Sequence, residues 1–283
     1  MEAADKFPEH WQMKLEAVLR SRKYSPRTLD AYVYYNRLLC QTLQKSPEEI
    51  QPEDITQFLA SIEKDRKYSA SSFYLAISSI KFFYRRVLKK DISNERRRPR
   101  NDKRLPQVLS KDEVSKIITM EKNPKHRLLL VLVYSSGLRV SEVVALKKEH
   151  IDMSRKVLYI KQGKGRKDRC TLLSEKAAHL LTDYCAIFDV ETWLFPGQPA
   201  THSLSIRSAQ KIFDKAVRKA GIRKDISIHS LRHSFATHLL ESGTDIRYIQ
   251  TLLGHSSIRT TERYTHIARS SVLNIQSPLD TML

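Results

Sequence analysis

Residues 229–240 read HSLRHSFATHLL, so that His229, Arg232 and His233 fall within five positions just ahead of an apolar run. At a helical step of about 100° per residue, positions three and four apart share a face, which places Arg232 and His233 on the side of His229. Such a polar face has three readings. It can be the solvated start of a helix capped by Ser230. It can be a metal site, because histidines at i and i+4 can bind zinc, although the zinc-protease pattern wants Glu directly after the first histidine and Ser230 stands there. It can also be an anion site, with a guanidinium and an imidazole aimed at one phosphate.

Three other stretches bear on the choice. SGLRVSEVVAL places Arg139 after a glycine break at the start of a helix, with Glu142 one turn later. A simple Arg139–Glu142 ion pair would account for it, yet the helix dipole disfavours a cation at that end, which points to a bound anion. QGKGRKDR sets Lys164 on a hairpin tip, where Gly163 and Gly165 have no side chains to keep it from a ligand. LLGHSSIRTTERYTHI carries His255 directly after a helix-ending Leu-Gly, and then Tyr264 on the next helix. Each signal is weak alone. Together they form the ordered set Arg139, Lys164, His229, Arg232, His255, Tyr264.

The chemistry needs elements to hold it. With 283 residues the chain can bury a core in one large or two modest domains. Residues 8–90 read as helices. SPRTLDAYVYYNRLLCQTL opens with Ser25 as cap and Pro26 in the first turn, and QPEDITQFLASIEKD repeats the device with Pro52 and early acidic residues. SASSFYLAISSIKFFYRRVLKK carries Tyr74, Ile77, Ile80, Phe83 and Val87 on one stripe, read as core, while Lys81, Arg85 and Arg86 lie on the flanking surface as phosphate contacts. Residues 91–107 have a linker's composition, with two prolines and the basic run Arg96, Arg97, Arg98 and Arg100, suited to a phosphate backbone.

From Val108 the texture is mixed. A capped helix is expected after Ser110 and a buried one ends at Gly137, followed by two short strands, RKVLYIKQ and RKDRCTLL, joined by the GKGR turn. Helices are expected near 174–188, 205–220, 230–242, 245–253 and 257–268, with Tyr248 read as core beside Leu252. The tail, 268–283, holds Val272, Leu273, Ile275, Leu279, Met282 and Leu283, too apolar for a freely solvated end.

Fifty Lys plus Arg against 31 Asp plus Glu give a formal charge of +19, which favours a polyanionic partner such as nucleic acid. Cys40, Cys170 and Cys185 are odd in number and lack CxxC spacing, which argues against disulfides or a zinc knuckle. No apolar run reaches the roughly 18 residues of a membrane span, and the charged N-terminus is unlike a signal, so a cytoplasmic location is expected.

The ordered set resembles the tyrosine recombinase (phage integrase) family, and most closely its compact two-domain Xer-type members, over essentially the whole chain. The resemblance implies a mainly α protein. An N-terminal helical SAM-like DNA-binding domain (1–90) and the basic linker (91–107) would precede a mostly helical α+β catalytic domain with a small sheet and a C-terminal exchange tail (108–283). It implies a site-specific recombinase that cleaves and rejoins DNA through a 3′-phosphotyrosine on Tyr264, without ATP, metal or cofactor. Arg139 and Arg232 would grip the non-bridging oxygens, and Lys164 would be the general acid. His229 would assist proton movement at the tyrosine and His255 would hydrogen bond the phosphate. Glu142 would hold an arginine from behind, with His233 packing or hydrogen bonding behind the grip.

The implied partners are double-stranded DNA with paired inverted half-sites and further copies of the chain in a tetramer, with the need for a second recombinase or an activator left open. Also open are chromosome dimer resolution against mobile-element integration or excision. The interval between Arg139 and His229 has no room for the insertion of integron integrases, and no arm-site domain is expected before residue 8. Two other functions compete. A type IB topoisomerase-like strand swivel shares the chemistry, and a non-catalytic DNA-binding regulator explains the charge but not the ordered set.

Overall fold

A computed structural model describes residues 10–65, 68–91, 107–161, 168–262 and 264–265, and divides the chain into two compact units, Met1–Lys103 and Arg104–Leu283. Lys164, the run Arg96, Arg97, Arg98 and Arg100, and the tail 268–283 lie outside the described residues.

The first unit is helical: α1 (His10–Ser21), α2 (Pro26–Leu43), α3 (Pro52–Lys64) and α4 (Ala70–Phe82), the last continuing into a π-helical segment, Phe83–Leu88. The caps read from the sequence are in place. Ser25 Oγ accepts from the Thr28 amide at 3.2 Å, and Asp54 takes the Gln51 amide at 2.9 Å. Trp11, Leu15, Leu39, Phe58, Phe73, Ile80, Phe83 and Tyr84 meet in the core.

Of the expected stripe on α4, Ile80 and Phe83 lie in the core as read, and the rest of the stripe does not. Phe73, Ala76, Ile80, Phe83 and Tyr84 are buried, whereas Tyr74, Ile77 and Val87 are only half-buried. Two tertiary causes act. Asn36 on α2 donates to Ser79 Oγ at 2.8 Å, which seats Ser79 against α2, and the wider π turn brings Tyr84 inward, where its hydroxyl donates to Pro47 O at 3.1 Å. Arg85 and Arg86 remain exposed and Lys81 is half-buried, which leaves the expected basic flank at the surface.

In the second unit α5 (Lys111–Met120) starts with a reciprocal Ser110–Glu113 capping box. Helix α6 (Pro124–Ser135) buries Leu128 through Val133 without interruption, the pattern of a helix enclosed on all sides. The short α7 (Val140–Val144) follows, then an antiparallel sheet in the order β1 (Ile151–Asp152), β2 (Val157–Ile160), β3 (Arg169–Leu172), with Ile160 opposite Arg169. Helices α8 (Glu175–Ile187), α9 (Ile206–Lys219), α10 (Ile228–Glu241), α11 (Ile246–Leu253) and α12 (Arg259–Glu262) complete the unit. Leu129, Leu132, Val143, Leu158, Leu181, Phe195, Phe213 and Leu231 share its core.

The mainly α architecture with one small sheet agrees with the sequence reading. Differences concern details. Strand β1 was not expected. Within the described residues of the helix expected over 257–268, only Arg259–Glu262 is helical (α12), and Tyr264 and Thr265 stand in a turn, while 263 and 266–268 lie outside the described residues. Tyr248 is not core. It is 70% exposed, because α11 turns Ile249 and Leu253 inward instead. No helix among the described residues is long and apolar enough to cross a membrane.

Candidate active site

Helix α10 carries His229, Arg232 and His233, and its apolar side anchors it in the core. Arg232 is 4% exposed. Its Nη1 donates to Gly137 O and its Nη2 to Leu253 O, both at 2.6 Å, and Nη2 also lies 3.2 Å from His255 Nε2. The guanidinium thus ties the loop after α6 to the C-terminal end of α11. Gly137 is necessary for that approach. Its φ of +61° favours glycine, and a Cβ there would stand 2.5 Å from Phe235 Cδ1.

Arg139 is the N-cap of α7, and Glu142 folds back on it. The carboxylate accepts the Arg139 amide on Oε2 and Arg139 Nη1 on Oε1, each at 2.7 Å. A third arginine, Arg169 at the start of β3, takes the same carboxylate in a fork, Nη1 to Oε1 at 2.7 Å and Nη2 to Oε2 at 2.8 Å, while Nε donates to Leu252 O at 2.9 Å. Arg232 Nη1 stands 3.7 Å from Oε2.

Three guanidiniums therefore surround one buried carboxylate, with an excess of two positive charges among these four side chains. What holds like charges together is visible. Leu252, Leu253 and Gly254 present the last carbonyls of α11, and these accept from Arg169, Arg232 and, at 3.5 Å, Arg139 Nη2. The helix's orphan acceptors and the negative end of its dipole offset the repulsion. Burial works to raise the Glu142 pKa, but hydrogen bonds and charge from Arg169, with those from Arg139, outweigh it and hold the carboxyl at about 2. Burial and the charge of Arg139 push Arg232 down to about 9, which leaves it charged at neutral pH.

His255 follows the αL cap Gly254. Burial and then the charges of Arg232, Arg139 and Arg169 depress its pKa to about 3, so the ring is neutral at physiological pH. Its Nδ1 meets the Thr261 hydroxyl at 2.9 Å. In this arrangement Nε2 accepts from Arg232, and because the Thr261 hydroxyl both donates and accepts it can serve the other tautomer too, in which Nε2–H donates to an anion once Arg232 Nη2 turns to that anion. His229 is solvent-exposed, yet crowding by its surroundings and the charges of Arg232 and Arg139 lower its pKa as well.

Tyr264 packs against Phe235, Ala236, Ile249 and Leu253 at 2% exposure, and its hydroxyl lies 2.9 Å from His233 Nδ1. His233 thus does hydrogen bond, and it does so to the phenol. The structure brings Arg139, Glu142, Arg232 and His255 into one network with direct contacts and sets His229 close enough to feel its charges. Lys164 lies outside the described residues. Sequence reasoning missed Arg169 and Thr261. The available signal was an arginine at the inner end of the hairpin stretch QGKGRKDR, indistinguishable in sequence from the basic residues before it.

The geometry can grip a tetrahedral anion beside a tyrosine, and comparison with known proteins identifies the setting. Residues 107–271 match the phage integrase family, and residues 11–94 match the phage integrase N-terminal SAM-like domain. The chain belongs to the phage integrase family. It is 34% identical over 273 residues to a putative integrase/recombinase, y4qK, of Sinorhizobium fredii, covering 96% of this chain and 89% of that protein. It is 32% identical over 259 residues to the tyrosine recombinase XerA of Thermococcus kodakarensis, covering 90% and 89%.

Among solved structures, a XerA recombinase matches with TM-score 0.55 at 28% identity over 94% of this chain and 96% of that one. A XerH site-specific recombinase bound to palindromic difH substrate matches in fold, with TM-score 0.71 at 21% identity over 92% and 82%. This integrase-family chain is accordingly a tyrosine site-specific recombinase enzyme.

Proposed function

We propose that this recombinase cuts and rejoins double-stranded DNA through a 3′-phosphotyrosine intermediate on Tyr264. The observation that carries the reading is the convergence of Arg139 and Arg232 beside neutral His255, with an unbalanced positive charge, in the same unit as a tyrosine held by hydrogen bond. In this reaction the phenol oxygen attacks phosphorus as the bond to the 5′ oxygen breaks. One phosphodiester replaces another, so the bond energy is retained and no ATP is needed. Arg139 and Arg232 meet the charge that develops on the non-bridging oxygens, and His255 Nε2–H donates to one of them. His229 assists removal of the phenolic proton, and Lys164 protonates the departing 5′ oxygen.

The 1–90 domain clamps the duplex with Lys81, Arg85 and Arg86, and the 91–107 linker lies along the backbone through Arg96, Arg97, Arg98 and Arg100. The 108–283 domain performs the chemistry. DNA-bound relatives such as XerH on palindromic difH support a duplex with paired inverted half-sites as substrate. A tetramer on that DNA, linked by the 268–283 tail, lets subunits exchange strands in the cytoplasm for chromosome dimer resolution or mobile-element integration and excision. The test is incubation with a nicked suicide duplex followed by denaturing electrophoresis. A covalent adduct formed by the wild type and absent from Tyr264→Phe is expected, and an adduct in the mutant moves the nucleophile elsewhere.

A further inference from the structure

Arg169 differs from Arg139 in how its donors are spent. Nε is engaged by Leu252 O, Nη1 by Glu142 Oε1 and Nη2 by Glu142 Oε2, all between 2.7 and 2.9 Å. Its side chain is 9% exposed and its stem crosses Gly254, where a Cβ would come within 2.5 Å of Arg169 Cδ. Every nitrogen is turned to protein. Arg139, by contrast, gives Glu142 one guanidinium nitrogen at 2.7 Å and spends Nη2 on a long 3.5 Å contact with Gly254 O, so that nitrogen can be redirected to a ligand at little cost.

The carboxylate explains why the distinction matters. Glu142 is buried and ionised, and a buried carboxylate recruits every donor within reach. Left without Arg169, its two oxygens would draw in both nitrogens of the Arg139 fork and bring Arg232 in from 3.7 Å, and the cations meant for the phosphate would be neutralised by protein. We propose that Arg169 is a positioning residue for strand cleavage. By saturating Glu142 in a fork and capping α11 at Leu252, it keeps Arg139 and Arg232 available to the scissile phosphate. This rests on the phosphate-gripping role proposed above for those two arginines.

The test compares single-turnover cleavage of a nicked suicide duplex by wild type, Arg169→Gln, Arg169→Lys, Glu142→Gln and the Arg169→Gln/Glu142→Gln double variant. Arg169→Gln should lower the cleavage step about 10- to 100-fold, as removal of a group that orients a ligating side chain does, with DNA binding little changed. Arg169→Lys, which keeps the charge and loses the fork, should fall between it and wild type.

The distinguishing readout is suppression. Removing the charge of Glu142 removes the competitor for Arg139, so the double variant should cleave faster than Arg169→Gln alone, whereas a merely structural Arg169 gives losses that multiply. Multiplying losses, or wild-type cleavage by Arg169→Gln, overturns the proposal. A second measurement uses a duplex with a neutral methylphosphonate at the scissile position. The Arg169→Gln penalty should shrink there, and an equal penalty on both duplexes overturns it too. Wild-type cleavage abolished by Tyr264→Phe in the same gels sustains the reading of the site, so either proposal can fail without the other.

Discussion

His233 Nδ1 and the Tyr264 hydroxyl stand 2.9 Å apart, joining the middle of α10 to the turn that follows α12. The imidazole is adjacent in sequence to Arg232, so one helix turn holds both a guanidinium proposed above to grip the phosphate and a partner of the phenol. His233→Ala is expected to slow adduct formation while leaving duplex binding intact, because the phenol loses an orienting contact and the arginines of the site are untouched. A band-shift assay and a suicide-duplex time course separate the two quantities, and an unchanged time course makes the contact incidental.

Arg139→Ala should depress cleavage by about 10² to 10³ with a much smaller effect on binding, the usual loss for a donor to a developing oxyanion. Arg139→Lys should recover little of it, since a point charge cannot fork. Near wild-type cleavage by the lysine variant would defeat the assignment.

Acid should destabilise the second unit in two stages. His255 is depressed from 6.5 to about 3 in the fold and Glu142 from 4.5 to about 2, so in each case the unfolded chain binds protons first. The stability each contributes is complete above its ordinary pKa and is lost as pH falls toward its folded value. Thermal melts should therefore begin to drop below about pH 6.5, and His255→Gln should flatten the upper part of that slope. A variant whose melting temperature falls as steeply as wild type between pH 6.5 and 5 would assign the loss to other groups.

Gly137→Ala should unfold more readily than wild type, by about 1–2 kcal/mol from the left-handed backbone alone, with the Phe235 clash adding to it. Urea titration measures this. Equal midpoints would show that the loop relaxes without cost.

Cleavage should persist in EDTA, because guanidiniums fill the role of a metal at the phosphate, whereas affinity for duplex should decline with log salt at about 0.9 per phosphate contact. A dependence restored only by added magnesium or zinc, or a flat salt response, contradicts the charge-clamping mode.

The elements and their order were legible from local signals. Ser25, Ser110 and Gly254 sit at helix ends as caps because their chemistry satisfies groups within one turn, and the enclosed apolar run of α6 needs no partner to be recognised. The grouping of Arg139, Arg232 and His255 around the end of α11 was legible through family resemblance rather than through spacing.

Tertiary structure decided what local signals could not. Tyr248 and Ile249, like Phe73 and Tyr74, are neighbouring apolar residues about 100° apart on a helix, and periodicity finds both faces without choosing which one a neighbouring element covers. Packing chose Ile249 and Phe73. Arg169 carries no local mark, and the mark that His233 carries, its place beside Arg232, does not name its partner. Arg169 meets Glu142 across 27 positions of chain and Leu252 across 83, and His233 meets Tyr264 across 31. Their importance lies in a buried carboxylate, a set of helix-end carbonyls and a phenol that only the folded chain brings within reach.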